Sequence, residues 1–481
     1  MNKIVVSLTT YKDRIDTINT VIESLNRQSV KPDVIALYLY AGEFDTKELN
    51  IVEQENLQVK FVDENLKGHK KYFYAFQDYA DDIVITLDDD IYYHEDTVKK
   101  LLEYHRKYPN CVIANRTRFI TIRDSQIENY YRWEKNFPED TPSMLLMGTG
   151  VLGILYPPHI FDNQIFDIEL IRKLALDNDD IWLKIHQIRS GVKTVLTDLD
   201  KSLNFIEGTQ NTSLCHDNYV NNACNKTIAD LAQYYCIDLR KIFLEEFTTE
   251  SSDIIYSGLY SKCFKNRRFV IKKLNFNNDP ESEYELNCLT QAQGICGRRG
   301  FGFAKNPSII VYDYIDGAVL EKDFLSKATY DLICEYVGKM QQLPVEGINH
   351  WDKYKKDCLA VLEQYVENHT VEVEVLNLAQ CECVIHGDLN PNNILCRDGK
   401  IAIIDYENSY VGPSWWDKCY FLANYDPESI EAGVLSLLER EDIQRIILVT
   451  KIRIGRLIRK NMDAEKMQES LASWNRQLSC K

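Results

Sequence analysis

Two different patterns of strand and helix meet at a polar, acidic stretch, Glu245-Glu-Phe-Thr-Thr-Glu-Ser-Ser-Asp253, and this break constrains the fold more than any other feature. Before it, Lys3–Leu8, Val34–Leu39, Val59–Val62 and Ile83–Leu87 read as strands, while Ile15, Ile18, Ile22 and Leu25 stand at helical spacing. Such alternation predicts a doubly wound, mostly parallel α/β sheet that binds ligands beyond the carboxyl ends of its strands. After the break, Ile254–Leu274 reads as a meander of hairpins and Glu281–Ala292 as a helix, followed by more strands and a long, mostly helical remainder. The two orders differ, so internal duplication is excluded. We expect domains at 1–247 and 253–481, which suits a chain of 481 residues, too long for one core.

A net charge of −17 argues against a general nucleic-acid binder, because phosphate contacts need clustered Lys and Arg. A few local cations and a divalent metal still allow nucleotide substrates inside a cleft. The 14 cysteines are scattered, without paired zinc-ligand spacing. Cys381 and Cys383 read as small buried side chains. With neither a signal peptide nor an apolar run of membrane-spanning length, a cytoplasmic protein with free thiols is expected.

In the first half, the apolar run Ile83–Leu87 leads directly into Asp88-Asp89-Asp90. Asp88 and Asp90 form a DxD pair at a strand end, where hard oxygen ligands suit Mg²⁺ or Mn²⁺ on a diphosphate. The other reading is an acidic turn capping the next helix, for which Asp96 is the better candidate. Tyr130-Tyr131 and Trp133 serve equally as sugar-stacking rings or as core.

Together with Ser7–Arg14, Gln28, the basic segment Lys67-Gly-His-Lys-Lys71, Gly148–Gly153 and Asp179-Asp180 before Trp182, this pattern resembles GT-A glycosyltransferases of the bacterial family-2-like group over about the first 240 residues. The resemblance implies a nucleotide-sugar donor, UDP-linked above all, and a glycan or lipid-linked acceptor. It places Thr10, Arg14 and Asp89 at the nucleotide and Lys71 near the donor phosphates. It makes Asp180 the base of an inverting transfer, with helix capping as its alternative, and His216 a late metal ligand or an exposed loop histidine.

The second half contains Val384-Ile-His386-Gly387-Asp388-Leu-Asn390-Pro-Asn392-Asn393-Ile-Leu395, then Ile401-Ala-Ile-Ile-Asp405-Tyr-Glu407. Phosphoryl transfer needs a carboxylate to orient the attacking hydroxyl, plus an amide oxygen and a second carboxylate for Mg²⁺. Asp388, Asn393 and Asp405 supply these on a loop, strand, turn at Asp398-Gly399 and strand. The pattern resembles the choline kinase and aminoglycoside phosphotransferase family, departing from it at Asn390 and Asn392. That resemblance, over about 230 residues, implies a two-lobed, protein-kinase-like α+β domain using Mg²⁺ and ATP. It implies ATP contacts from Lys272, its partner Glu283, the Ser257-Gly258 turn and a hinge near Asp313. Trp415-Trp416-Asp417 offers either a quaternary-ammonium site or core, and Lys451–Lys460 either weak membrane-surface contact or an ordinary amphipathic terminal helix.

Both halves retain their base and metal residues. The sequence therefore favours a bifunctional enzyme of bacterial surface polysaccharide synthesis, transferring a sugar and phosphorylating a small choline-like alcohol or a sugar. The alternatives are a glycosyltransferase with a kinase-like binding module, or a kinase carried on a glycan-recognising scaffold.

Overall fold

The computed structural model describes residues 2–44, 49–137, 141–209, 223–250, 252–258, 261–275, 279–295, 298–367 and 369–481. The chain divides into two compact units, Met1–Ser251 and Ser252–Lys481.

The strands of the first unit are β1 (Ile4–Thr9), β2 (Val34–Tyr40), β3 (Leu57–Val62), β4 (Ile83–Thr86), β5 (Val112–Ala114), β6 (Thr117–Phe119), β7 (Ile122–Arg123), β8 (Gln126–Ile127), β9 (Glu134–Lys135), β10 (Leu146–Gly148), β11 (Ile154–Tyr156) and β12 (Thr194–Leu196). The main sheet runs β12-β5-β11-β4-β1-β2-β3. Its pairs are parallel except around β11, which runs antiparallel to both β4 and β5. Side-chain alternation sends Val6 and Leu8 to one face, where the helices Ile18–Asn26 and Thr97–Lys107 bury Ile18, Ile22, Leu25, Val98 and Leu101. Val5, Val34, Ala36 and Tyr38 pack on the other face with Ala75. Helices therefore cover both faces, as doubly wound sheets require. Ile15, expected in the first helix, lies instead in a 3₁₀ turn, Lys12–Thr17, that precedes it. A small sheet, β10-β6-β9, is joined by the chain after β10 to the amino end of β11, which lies opposite the carboxyl end of antiparallel β4.

In the second unit β13 (Asp253–Ser257), β14 (Ser261–Asn266), β15 (Phe269–Leu274), β16 (Gly300–Lys305) and β17 (Ser308–Asp313) pair antiparallel in the order β13-β14-β15-β17-β16. The helix Pro280–Ala292 packs on them; Asp279 caps it by accepting from the Glu281 N–H, and Pro280 begins it without needing a partner for a missing N–H. Next come β18 (Ala318–Val319), β19 (Cys383–Ile385), β20 (Ile394–Arg397), β21 (Lys400–Ile403) and β22 (Tyr410–Gly412), set among helices that share one large core. This is the two-lobed α+β arrangement.

The basic stretch Lys451–Lys460 is the second half of the helix Arg440–Arg459, followed by another helix, Glu465–Cys480, so it is not terminal. Its apolar face is core, with Ile446, Val449 and Ile452 buried. Lys451 pairs with Glu372, and Arg456 and Arg459 both pair with Asp357. These ion pairs engage Lys451, Arg456 and Arg459 with acids of the same unit. Among the described residues no helix is long and apolar enough to cross a membrane, and the described cysteines are free thiols.

Candidate functional site

β4 delivers Asp88, Asp89 and Asp90 to the carboxyl end of the first sheet, where the loop after β1 meets them. The Thr10 hydroxyl donates to Asp89 Oδ2 at 2.5 Å, and Arg14 Nη1 donates to Asp89 Oδ1 at 2.9 Å and Asp90 Oδ2 at 3.3 Å. Asp89 thus pins the β1 loop, and its carboxylate faces protein rather than open cleft. Lys71 Nζ lies 2.7 Å from Asp88 Oδ1 and 2.9 Å from Asp179 Oδ2. Burial opposes its charge, but Asp179, Asp88 and Asp180 outweigh burial and hold the ammonium well above its ordinary range.

Asp179 and Asp180 open the helix Asp179–Arg189. Asp180 does not cap this helix: Asn178 occupies the cap position, without a side-chain cap bond, and Asp180 Oδ2 accepts from the Gly150 N–H at 3.1 Å. Asp180 Oδ1 is buried without a hydrogen-bond partner among the described residues. Burial and then Asp179 push the Asp180 carboxyl up to about 7, against the pull of Lys71. Asp179 goes the other way: burial raises it, but Lys71 and His69 together hold it below the usual carboxylate range. One acid of the pair is thus kept ionised and the other poised near neutrality. A Cβ on Gly150 would stand 2.9 Å from Asp88 Oδ1 and 3.2 Å from Lys71 Nζ, so glycine leaves open the space between the two acidic groups.

Asp96 sits at the head of the helix Thr97–Lys107, but its side chain makes no cap bond and takes the Ser29 hydroxyl instead. Gln28 does the capping: its Oε1 accepts from the Val98 N–H at 3.0 Å and its Nε2 donates to His94 O at 2.7 Å. His216 lies outside the described residues.

In the second unit Lys272, on β15, contacts three carboxylates. Its Nζ is 2.8 Å from Glu283 Oε2 and 3.2 Å from Glu407 Oε2, and it also pairs with Asp405. Tyr312 donates to Glu283 Oε1 at 3.1 Å. Burial opposes the Lys272 charge, but the acids hold it well above the ordinary range. Burial raises Glu283, and it pushes Glu407 up to about 7 despite Lys272. Among the described residues Glu283, Asp405 and Glu407 are the acids whose oxygens lie within 4.8 Å of one another, close enough to share an ion. Asp405 has φ +74°, a left-handed conformation that costs energy in a non-glycine residue and is held by its surroundings.

Asp388 stands on the loop after β19. Asn393 Nδ2 donates to the Asp388 carbonyl at 3.0 Å and to its Oδ2 at 3.4 Å, and the Tyr420 hydroxyl bonds its carboxylate. The loop hangs from buried Asp417, whose two oxygens accept from the His386 N–H at 2.7 Å and the Gly387 N–H at 3.0 Å. Gly387 has φ +80°, and a Cβ there would meet the Asn408 carbonyl oxygen at 1.9 Å, so no other residue fits.

Some expected positions have local roles. Asp313 closes β17; its N–H donates to Arg299 O at 2.9 Å and its carboxylate accepts from the Arg299 N–H at 2.6 Å. Ser257 and Gly258 end exposed β13, where the Gly258 N–H closes the hairpin onto Ser261 O at 2.9 Å. Glu407 and Asp417 stand inside motifs quoted from the sequence but were given no site role there; the two acids at Asp405 and Glu407 were the available signal. Trp416 is fully buried and donates its Nε1–H to Gly387 O at 3.1 Å.

Residues 6–153 match the family model described as Glycosyl transferase family 2, and residues 307–441 the model described as Phosphotransferase enzyme family. The first unit therefore contains the stretch that is similar to family 2 glycosyl transferases, and the second the stretch that is similar to the phosphotransferase family. A methylthioribose kinase of Bacillus mycoides (strain KBAB4) is 27% identical over 141 residues, which span 28% of this chain and 31% of that protein. Similar solved structures include the GDP and kanamycin complex of APH(2")-IIia, at 15% identity and TM-score 0.39 over 52% of this chain and 99% of that one. Choline kinase LicA from Streptococcus pneumoniae is another, at 15% identity and TM-score 0.38 over 50% and 99%.

Proposed function

We propose that the chain is a bifunctional enzyme. The domain at 1–247 transfers a sugar from a nucleotide-sugar donor to a glycan or lipid-linked acceptor with inversion, and the domain at 253–481 phosphorylates a small hydroxyl compound with ATP. The observation that carries this reading is that each unit gathers a base, a metal-side acid and a buried anchoring lysine.

In the first domain the DxD oxygens suit a hard divalent cation, Mg²⁺ or Mn²⁺, and Gly150 leaves space beside Asp88 that a Cβ would fill. When bound, such an ion offsets charge on the leaving diphosphate. Asp88 and Asp90 would hold it, Lys71 and Arg14 would face the phosphates once released from those acids, and Thr10 would line the nucleotide side. Asp180 takes the proton of the acceptor hydroxyl; its unpartnered Oδ1 and its raised pKa suit that task.

In the second domain Asp388 orients the attacking hydroxyl. Asn393 positions Asp388 and, with Asp405 and Glu407, offers oxygens for Mg²⁺; Lys272, fixed by Glu283, anchors the ATP phosphates. The purine contact falls to the chain just after Asp313, with Ser257-Gly258 covering the phosphates.

The hydroxyl substrate is a sugar or polyol rather than choline. Trp416 is sealed in the core, and the rings of Tyr420, bonded to Asp388, and of Tyr354, packed on Trp416, are already faced by Arg453 and Arg456 at 5.0 and 4.5 Å. A quaternary ammonium would have to share those rings with guanidinium groups. The test is an acceptor screen with labelled ATP over choline, ethanolamine, monosaccharides and short glycans, with labelled UDP-sugars followed in parallel with and without EDTA. Phosphorylation of sugars but not choline, and sugar transfer lost in EDTA, is expected. Turnover of choline alone would reverse the substrate assignment.

A further inference from the structure

We infer that the acceptor side of the first domain recognises an anionic group, a phosphate ester or carboxylate carried on the acceptor next to the hydroxyl that is glycosylated, through Arg118, stacked on Tyr130, and Arg116. This rests on the glycosyl-transfer reading of Asp180.

The argument starts from strand register. In β10-β6-β9 Arg118 lies directly opposite Met147 on one side and Lys135 on the other, and opposed residues share a face of an antiparallel pair. Thr149, two residues beyond Met147 and still extended, continues that face. Arg116 joins it: its Nη1 is 3.4 Å from Thr149 Oγ1, and its carbonyl accepts from the Thr149 N–H at 3.0 Å. One face of a small sheet therefore carries Arg116, Arg118 and Lys135 in a chain whose net charge is −17.

This face adjoins the base. Thr149 precedes Gly150, whose N–H is on Asp180. The Tyr130 hydroxyl interacts electrostatically with Arg118, Asp180 and Arg116 together. The Arg118 guanidinium stacks 4.4 Å over the Tyr130 ring and donates to the Tyr130 carbonyl at 3.3 Å, while Asn225 holds the Tyr130 N–H at 2.8 Å. Arg118 is 9% exposed, yet its Nε is buried without a hydrogen-bond partner among the described residues. A buried guanidinium with an unsatisfied donor is costly unless something supplies an acceptor. The nearby buried acid Glu128 does not serve here, since it pairs with Arg123 and Arg132. Arginine's planar fork matches phosphate and carboxylate oxygens. The donor diphosphate is served elsewhere, by Asp88, Lys71 and Arg14. Phosphoryl transfer to a sugar hydroxyl is the class of reaction that would supply such an acceptor.

The test uses the full chain. Binding of glucose 6-phosphate, glucose 1-phosphate, glucuronate and glucose is measured by calorimetry, together with binding of UDP-glucose. At least tenfold tighter binding of the anionic sugars than of glucose is expected, and the phosphate esters against glucuronate identify the anion. Arg118→Gln should abolish that preference, leaving UDP-glucose affinity within about twofold. Arg116→Gln, at a half-exposed position, gives the same direction of change if the Arg118 variant fails to fold. An unchanged preference in both variants overturns the inference, as does a loss of UDP-glucose affinity in either, which would assign the arginines to the donor. If UDP-sugars neither bind nor are turned over, the transfer reading falls and the acceptor role with it, a result distinct from loss of anion preference.

Discussion

The two centres use a buried lysine differently. In the first unit Lys71 bridges the metal-side Asp88 and, through Asp179, the helix that carries the base, so donor and acceptor machinery share one electrostatic knot. In the second unit the ammonium of Lys272 ion-pairs, among the described residues, with Glu283, Asp405 and Glu407, while Asp388 is held separately by Asn393, Tyr420 and the Asp417-anchored loop. A base wired to the anchoring lysine has its proton affinity lowered by that lysine. A base held apart does not. Variants that remove the lysine or the base should therefore give coupled defects in one unit and separable defects in the other.

The largest effects come from the bases. Asp388→Asn should abolish phosphoryl transfer while ATP still binds, and Asp180→Asn should lower sugar transfer by a factor on the order of 10²–10⁴. Each should leave the other activity near the parent level in steady-state assays; a shared loss would break the separation of the two centres. Retention of anomeric configuration in the sugar product, by NMR, would remove Asp180 from its role as single base.

Next are the lysines. Lys272→Met should weaken ATP binding while leaving acceptor binding beside Asp388 near the parent level. Lys71→Met should weaken donor binding and also move the acid limb of sugar transfer upward, because losing a cation disfavours the Asp180 carboxylate. In the parent that limb should lie at about 7, with activity rising as pH increases and the base ionises. An unmoved limb in Lys71→Met would show that the knot is not functional.

Asp180 also makes a stability prediction. Its folded pKa, about 7, lies above the ordinary aspartate value, so its contribution to stability is present below the ordinary carboxylate range and is lost as pH rises through about 7. Asp180→Asn removes this penalty, and its melting temperature should exceed the parent's at pH 8 and converge with it near pH 4. Equal melting temperatures at pH 8 would show that the raised pKa is absent in solution.

What sequence could reveal depended on distance along the chain. Asp388, Asn393 and Asp405 fall on one loop and hairpin, and Lys272 and Glu283 on a strand and the next helix, so their roles could be inferred from local pattern. The doubly wound sheet was likewise visible in alternating apolar runs. The tie from Lys71 to Asp179 joins segments far apart in sequence, and no local pattern announces it. The resemblance placed Asp89 beside Thr10 and Arg14 at the nucleotide; only the folded β1 loop reveals that Thr10 and Arg14 close on its carboxylate. The antiparallel β11 and the ion-paired basic helix are also tertiary facts, since pairing direction and salt-bridge partners lie outside the segment itself.

The smallest effect concerns Gln28, which resembled a family position and proves to be a support. It sits just beyond the helix Ile18–Asn26 and reaches across to the start of the helix Thr97–Lys107, a few residues after Asp90. Its Oε1 satisfies the Val98 N–H, one of the donors that a helix start leaves unpaired, and its Nε2 fixes the preceding chain at His94. Gln28→Ala removes both bonds and should cost about 0.5–2 kcal/mol, the range for losing a helix cap. Because the bonded segment directly follows the DxD acids, donor binding should weaken a few-fold with the acid limb of sugar transfer unmoved. Phosphoryl transfer should not respond. A wild-type melting transition and donor affinity in Gln28→Ala would show that the Asp88–Asp90 turn is held by Thr10, Arg14 and Lys71 alone.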